Sequence, residues 1–414
     1  MDYDFTTVIN RRHTDSVKWN VKDSELPMSI ADMDFKTAPE IVLAMREKLE
    51  LGAFGYEEAG ADYFNAVSHW YQLEHGADAD PDWMIFATGV VPAISSIVRR
   101  VSHIGDNVLV QEPVYNIFYN SIENNGRHVL SSDLIYSNGK YEIDWQDLEE
   151  KLANPLTTLM IFCNPHNPTG IVWKKSEVKR IASLCQENHV ILLSDEIHGD
   201  LVRNNVKYTP AFSIAKPLRS NVISLVSPSK TFNVAALHAA TVIIPDNNLR
   251  DIVNRGLNSD ELAEPNLLAI PATIAAYTEG FNWLHELLTV IDNNFAYAEK
   301  KITKQLKDIK IVSGPATYLM WLDVSEISQN SQELADYIRK ETGLIVSPGI
   351  IYRGNGNKFL RLNLASPISM VEDGISRLIT GIKKYSKNSW KWFQNHLKKI
   401  YTFIEVIFLW NHYF

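Results

Sequence analysis

Five short apolar runs with amphipathic stretches between them constrain the fold of this chain more than any other feature: WMIFA (83–87), NVLVQ (107–111), TLMIF (158–162), VILLS (190–194) and NVISLV (221–226). Each has the length of a strand and lacks the alternation of a half-exposed one, which is how strands of a parallel sheet covered on both faces read. Residues 174–188 carry Val178, Ile181, Ala182, Leu184 and Cys185 at helical spacing, so a helix is expected to cover one face. Strand, helix, strand is the repeating unit of an α/β fold. From about residue 283 the pattern changes to a long helix, then strands at KIVSG (310–314), TYLMWLDV (317–324) and KFLRLNLA (358–365). This is expected to be a smaller α+β module that the N-terminal arm completes. With no internal repeat and no Gly/Ser linker between them, the two modules should be tightly joined.

A chain of 414 residues is long enough for two domains, and its net charge of −9 argues against nucleic acid as a partner, because phosphate binding needs clustered positive charge. A small molecule is the expected ligand. Only Cys163 and Cys185 occur, in neither CxxC nor Cys/His spacing, so no disulfide framework and no metal site is expected, and both read as buried thiols of a reducing cytosol. The opening residues MDYDFTTVINRRHTD show no apolar signal region, and a cytoplasmic protein is expected.

Three segments follow directly on apolar runs and so fall at strand carboxyl ends, where open α/β sheets bind ligands: EPVYNIF (112–118), CNPHNPTG (163–170) and SPSKTFN (227–233). Lys230 lies in the last of these among small and hydroxyl residues. A desolvated lysine there can form an imine, although a surface position is the commoner fate of a lysine. Asp195 ends the run VILLS, where burial calls for a cationic partner such as a protonated pyridine nitrogen; a helix-capping aspartate is the plainer alternative. The two Asn-Pro steps of NPHNPTG impose a turned backbone that could aim Asn167 inward to donate to a phenolate oxygen.

In order and spacing NPHNPTG, SDEIHGD (194–200), SPSKTFN and FLRLNLA (359–365) resemble the fold-type I, pyridoxal-phosphate (PLP)-dependent aminotransferase superfamily. The strings SVKWN (16–20), ADMDF (31–35), FGYEEAG (54–60), ATGVVPAIS (87–95) and EPVYNIF look like its subgroup of cystathionine β-lyases and cysteine-S-conjugate β-lyases. The resemblance runs from about residue 5 to 385. It implies an α/β large domain over 46–284 with a mostly parallel seven-stranded sheet, and a smaller α+β domain formed by 1–45 and 285–386. It implies PLP as cofactor and an amino acid as substrate. Lys230 would hold the cofactor as a Schiff base, Asp195 would pair with the pyridine nitrogen and Asn167 would donate to the ring hydroxyl. Tyr115 would stack on the ring, the amides of Gly89, Val90 and Val91 with the hydroxyls of Ser227 and Ser229 would receive the phosphate, and Arg361 would bind the substrate carboxylate. Tyr56 matches a tyrosine that completes the phosphate site of the neighbouring subunit, which implies a homodimer with shared active sites.

This chain departs from the aminotransferase pattern at His238, where an arginine that contacts the phosphate is common, and at His198, where a tyrosine directed at the ring hydroxyl is common. A histidine at position 198 is familiar in the β-lyase subgroup, and His198 is expected at the cofactor. An atypical tail, 387–414, extends past the resemblance; its apolar run from Ile400 to Trp410 is too short to cross a bilayer and fits packing on the smaller domain, a membrane surface or an appended or frame-shifted terminus.

The expected reaction removes the α-proton of the substrate and expels a thiolate from the β-carbon, so that cystathionine or cysteine gives pyruvate, ammonia and a thiol. An aminotransferase would use the same residues. A serine acylase would read S-x-x-K in Ser227-Pro-Ser-Lys230, but the accompanying SDN and KTG strings are absent. A non-catalytic PLP-binding regulator is a further alternative. Arg11, Arg12 and ADMDF are candidates for the pocket that receives the leaving group.

Overall fold

The computed structural model describes residues 3–203 and 206–387. Seven strands form the central sheet: β1 (Met84–Ala87), β2 (Asn107–Val110), β3 (His128–Ser131), β4 (Thr157–Cys163), β5 (Ile191–Asp195), β6 (Val222–Val226) and β7 (Ala240–Ile243). Their order is β1-β7-β6-β5-β4-β2-β3, and β7 alone runs antiparallel to its neighbours. Five of these strands coincide with the apolar runs read from the sequence; β3 and β7 do not.

Alternate residues feed two cores. Leu159, Ile161 and Cys163 of β4 pack with Ile223 and Leu225 of β6 on one face, while Met160 and Phe162 pack with Leu192 and Val222 on the other. Helix α3 (Val90–Val101) covers the first face through Ala93, Ile94 and Ile97. Helix α4 (Lys175–Glu187) covers the second through Val178, Ile181 and Cys185. Burial of such side chains, at about 1.5–3 kcal/mol each, is what makes both faces apolar. Upstream of the sheet, α1 (Pro39–Glu50) and α2 (Ala61–His75) pack on Ala269–Glu279.

The second sheet is antiparallel, with strands β8 (Lys310–Ile311), β9 (Leu319–Asp323), β10 (Ser347–Pro348) and β11 (Phe359–Asn363) in the order β8-β9-β11-β10. Leu360 and Leu362 face a core shared with α5 (Phe281–Gln305), which buries Leu284, Leu287, Ile291 and Ile302. Phe359, Arg361 and Asn363 alternate to the opposite face, toward the large sheet, with Phe359 stacked on Trp321 at 4.8 Å between ring centres. A final helix, α6, spans 368–387. The N-terminal arm joins this module: Leu26–Pro27 pairs in parallel with Leu344–Ile345. The tail from 388 onward, with its apolar run, lies outside the described residues.

Candidate active site

Because β1, β4, β5 and β6 are mutually parallel, the segments following all four open on one edge of the sheet, around a cavity of about 250 Å³. After β6, Ser227 caps the one-turn helix Pro228–Thr231, its side chain accepting from the Ser229 amide at 3.1 Å, with Pro228 in the first helical position where its missing N–H costs nothing. The turn presents Lys230 to the cavity, and its Nζ donates to the Ala31 carbonyl at 2.7 Å. Burial lowers the pKa of this amine, Arg361 lowers it further, and Asp32 and Asp195 oppose both.

Asp195 closes β5 opposite Cys163 of β4 and Leu225 of β6, which puts its carboxylate in mid-sheet, 4% exposed. Its Oδ1 accepts from the Ile197 amide at 3.2 Å. Burial pushes its pKa up to about 6, against that hydrogen bond and the charge of Lys230. In the loop after β4 both Asn-Pro bonds are cis, and Asn167 reaches the cavity. Arg361 on β11 donates to Asn167 Oδ1 at 2.9 Å and to the Ser29 carbonyl at 2.9 Å, and lies over the ring of Tyr352. A guanidinium only donates, so the Asn167 oxygen is held by Arg361 and its amide nitrogen is left for the cavity.

Helix α3 begins at the same edge, and Gly89, Val90, Val91 and Pro92 line the cavity. Gly89 has φ +115°, a conformation open to glycine alone among common residues. Of the three amides expected to receive an anion, one has a partner within the chain. The Gly89 N–H donates to the Ala87 carbonyl at 2.8 Å, which leaves the Val90 and Val91 amides, ahead of the first intrahelical bonds. Ser229 lines the cavity, whereas Ser227 lies behind it with its hydroxyl on the Ala239 carbonyl at 2.6 Å. The Ser227 hydroxyl is therefore committed to holding the lysine turn.

Tyr115 and His198 complete the wall. Burial, with Asp195 beside it, raises the Tyr115 phenol to about 12, so it stays protonated. Burial, with Lys230 and Arg361 adding to it, lowers His198 to about 3, so its imidazole is neutral. Its Nδ1 is buried with no partner among the described residues. His238 lines the exposed rim. Tyr56 is 98% exposed and does not line this cavity.

The N-terminal arm enters the site through a backbone atom. Ala31, the first residue of ADMDF, lines the cavity, and its carbonyl accepts from Tyr318 Oη at 2.9 Å as well as from Lys230. A cluster of ion pairs fixes this strap: the buried Lys18 Nζ is 2.8 Å from Asp34, the half-buried Arg11 is 2.8 Å from Asp32, and Trp19 Nε1 donates to Asp34 at 2.7 Å. Arg11 and Arg12 are not among the lining residues. Arg11 is held by Asp32, and Arg12 by the carbonyls of Lys22 and Glu25.

Residues 24–378 match the family described as Aminotransferase class I and II. The chain is 39% identical over 375 residues to cystathionine beta-lyase PatB of Bacillus subtilis, covering 89% of this chain and 97% of that protein. It is 33% identical over 389 residues to protein MalY of Escherichia coli, covering 92% and 99%. Among solved structures, cystalysin from Treponema denticola, which contains a pyridoxal 5'-phosphate cofactor, superposes with a TM-score of 0.90 at 31% identity, covering 93% of this chain and all of that one.

Proposed function

The chain belongs to the class I and II aminotransferase family, and on that premise we propose that it is a PLP-dependent carbon–sulfur β-lyase, cleaving cystathionine or a cysteine S-conjugate with water to pyruvate, ammonia and a thiol. The residues fit the cofactor. A buried carboxylate with a single amide donor, Asp195, suits a protonated ring nitrogen, and the Val90 and Val91 amides at the start of α3, together with the Ser229 hydroxyl from the lysine turn, suit a phosphate. When bound, PLP supplies an electron sink that stabilises the carbanion left by removal of the substrate α-proton.

The chain's own groups do the rest. Lys230, with its pKa lowered by burial, holds the cofactor through Nζ and carries the α-proton when that nitrogen is free. Asp195 keeps the ring nitrogen charged. Asn167 would donate from its amide nitrogen to the ring hydroxyl and Tyr115 would pack on the ring, while the neutral His198 fills the wall beside Lys230. Arg361 binds the substrate carboxylate; its buried Nε has no acceptor among the described residues, so donor capacity remains.

These groups would serve amino transfer equally well. The observation that carries the choice of C–S cleavage is the likeness, over nearly the whole chain, to a protein named cystathionine beta-lyase. The test is sustained pyruvate release from L-cystathionine and L-cysteine by PLP-loaded protein with no 2-oxo acid present. Amino transfer without pyruvate, once a 2-oxo acid is supplied, would overturn the lyase assignment. Arg361→Ala is expected to raise KM by about 10²-fold while the cofactor stays bound, since the guanidinium acts on substrate. Release of PLP by this variant would place Arg361 at the cofactor instead.

The working unit is proposed to be a homodimer in which Tyr56 completes the phosphate site of the partner. Its support is that five large apolar side chains between residues 43 and 56, Leu43, Leu49, Leu51, Phe54 and Tyr56, are each exposed. Lys230→Ala and Tyr56→Ala subunits, each impaired alone, should recover roughly a quarter of wild-type activity when mixed. Half the dimers are then hybrid, and each hybrid rebuilds one of two sites. No recovery in verified hybrids would confine Tyr56 to its own subunit. We further propose a large domain over 46–284 and a smaller one from 1–45 and 285–386. Both boundaries fall inside helices, α1 and α5, so the joint is rigid. A cytosolic location accords with two buried free thiols, Cys163 and Cys185; no helix of the described residues is long and apolar enough to cross a membrane.

A further inference from the structure

Behind the cavity a second carboxylate gathers three donors. Asp200 is buried and accepts from Trp70 Nε1 at 3.0 Å, from His75 Nε2 at 2.8 Å and from Thr231 Oγ1 at 2.7 Å. A carboxylate only accepts, so His75 carries its hydrogen on Nε2. Trp70 and His75 come from α2, whereas Thr231 is the residue after Lys230 and the last of the one-turn helix.

Four residues of helix have almost no stability of their own, so the direction of that turn is set by what holds its ends. At its start Ser227 caps it and is itself tied to the Ala239 carbonyl. At its finish the Thr231 hydroxyl donates to Asp200, and the carbonyl of the next residue, Phe232, accepts from Thr37 Oγ1 at 2.6 Å. The chain of contacts continues from Asp200. The His75 ring meets Tyr208 edge-on at 5.1 Å, and the Tyr208 hydroxyl donates to Glu196, the neighbour of Asp195. Glu196 is further held by the Ala211 amide at 2.9 Å and Ser224 Oγ at 3.0 Å. A buried path thus runs from Lys230 through Thr231, Asp200, His75, Tyr208 and Glu196 to Asp195, joining from behind the two groups assigned to opposite ends of the cofactor.

We infer that Asp200 is a positioning residue for Lys230: through the Thr231 hydroxyl it fixes the turn so that Nζ meets the cofactor in one orientation. The inference rests on Lys230 being the cofactor lysine. If Asp200 served only to fasten α2 to the sheet, its loss would lower the melting temperature and change nothing else.

Thr231→Val keeps the shape of the side chain and removes the hydroxyl, and Thr231→Ser keeps the hydroxyl. In the PLP-loaded enzyme, Thr231→Val is expected to lower kcat by about 10–100-fold, since misplacement by about 1 Å has that effect, with KM changing less than about threefold. The pH midpoint of the lysine-dependent visible absorbance should move by at least about half a unit, because that midpoint reports the surroundings of Nζ. Thr231→Ser should restore both. Asp200→Ala, which leaves the Thr231 hydroxyl without its acceptor, should repeat the shift if Thr231→Val folds poorly. A wild-type midpoint and wild-type kcat per folded molecule in either variant would overturn the inference, whatever the melting temperature. Absence of any Lys230-dependent absorbance in the wild-type protein would instead overturn the assignment of Lys230 and take this inference with it.

Discussion

Lys230→Ala protein should fold, take up little PLP and release no measurable pyruvate, a fall of about 10³-fold or more given what one positioned proton-transfer group contributes. Among the described residues Lys230 is the only amine that lines the cavity, and its Nζ has one acceptor, the Ala31 carbonyl. Removing it leaves the ion cluster of the strap intact, because Lys18, Arg11 and Trp19 hold Asp32 and Asp34 independently. The loss should therefore appear in turnover and in the visible absorbance and leave the melting of the cofactor-free protein nearly unchanged. Turnover in this variant, measured as pyruvate over time, would remove Lys230 from the mechanism.

Asp195→Asn is expected to have opposite effects on activity and on stability. Losing the negative charge at the ring nitrogen weakens the electron sink, with kcat expected to fall by about 10²–10³-fold. In the cofactor-free protein the sign reverses. The Asp195 carboxyl, ordinarily near 3.8, is raised by burial to about 6. Between those values the folded protein holds a proton that the unfolded chain has released, so stability falls as pH rises through that window. Above it the buried charge costs on the order of 3 kcal/mol. Cofactor-free Asp195→Asn should then melt higher than wild type at pH 8 and lose that advantage near pH 4. Equal melting at pH 8 would mean that Asp195 has another cation beside it. The comparison separates a residue kept for chemistry from one kept for stability.

Groups whose role follows from residue type and strand position were legible before the structure. Lys230, Asp195, Asn167, Tyr115 and Ser229 meet in one cavity, with Arg361 bonded to Asn167, because each follows or sits on a strongly apolar strand whose ends the sequence marks. Where the working atom is backbone or a local bond decides, residue type carried no signal. The amide of Gly89 is drawn off by Ala87, the hydroxyl of Ser227 by Ala239, and the arm enters the site through the Ala31 carbonyl. The two missed strands have different causes. In β3, His128 is exposed and the rest half-buried, as befits an edge, so its apolar signal is weak. The strand β7 is fully buried but short, and it follows the lysine loop and a 3-10 turn at Ala235–Leu237 without the punctuation that would set it apart.

The arm and its partners are also far apart in time. Leu26 pairs with Leu344, and the Ser29 carbonyl is held by Arg361, more than 300 residues later. On a ribosome adding roughly 5–20 residues per second, the strap emerges at the outset and waits some 15–60 s for the strands that receive it. The large sheet, whose last strand ends at Ile243, can assemble during that wait, and Asn233 can already hold the Met33 backbone, but the Arg361 contact to the Ser29 carbonyl has to wait for residue 361. A nascent chain stalled before Leu344 should therefore form its large sheet while the arm still lacks the strand it pairs with.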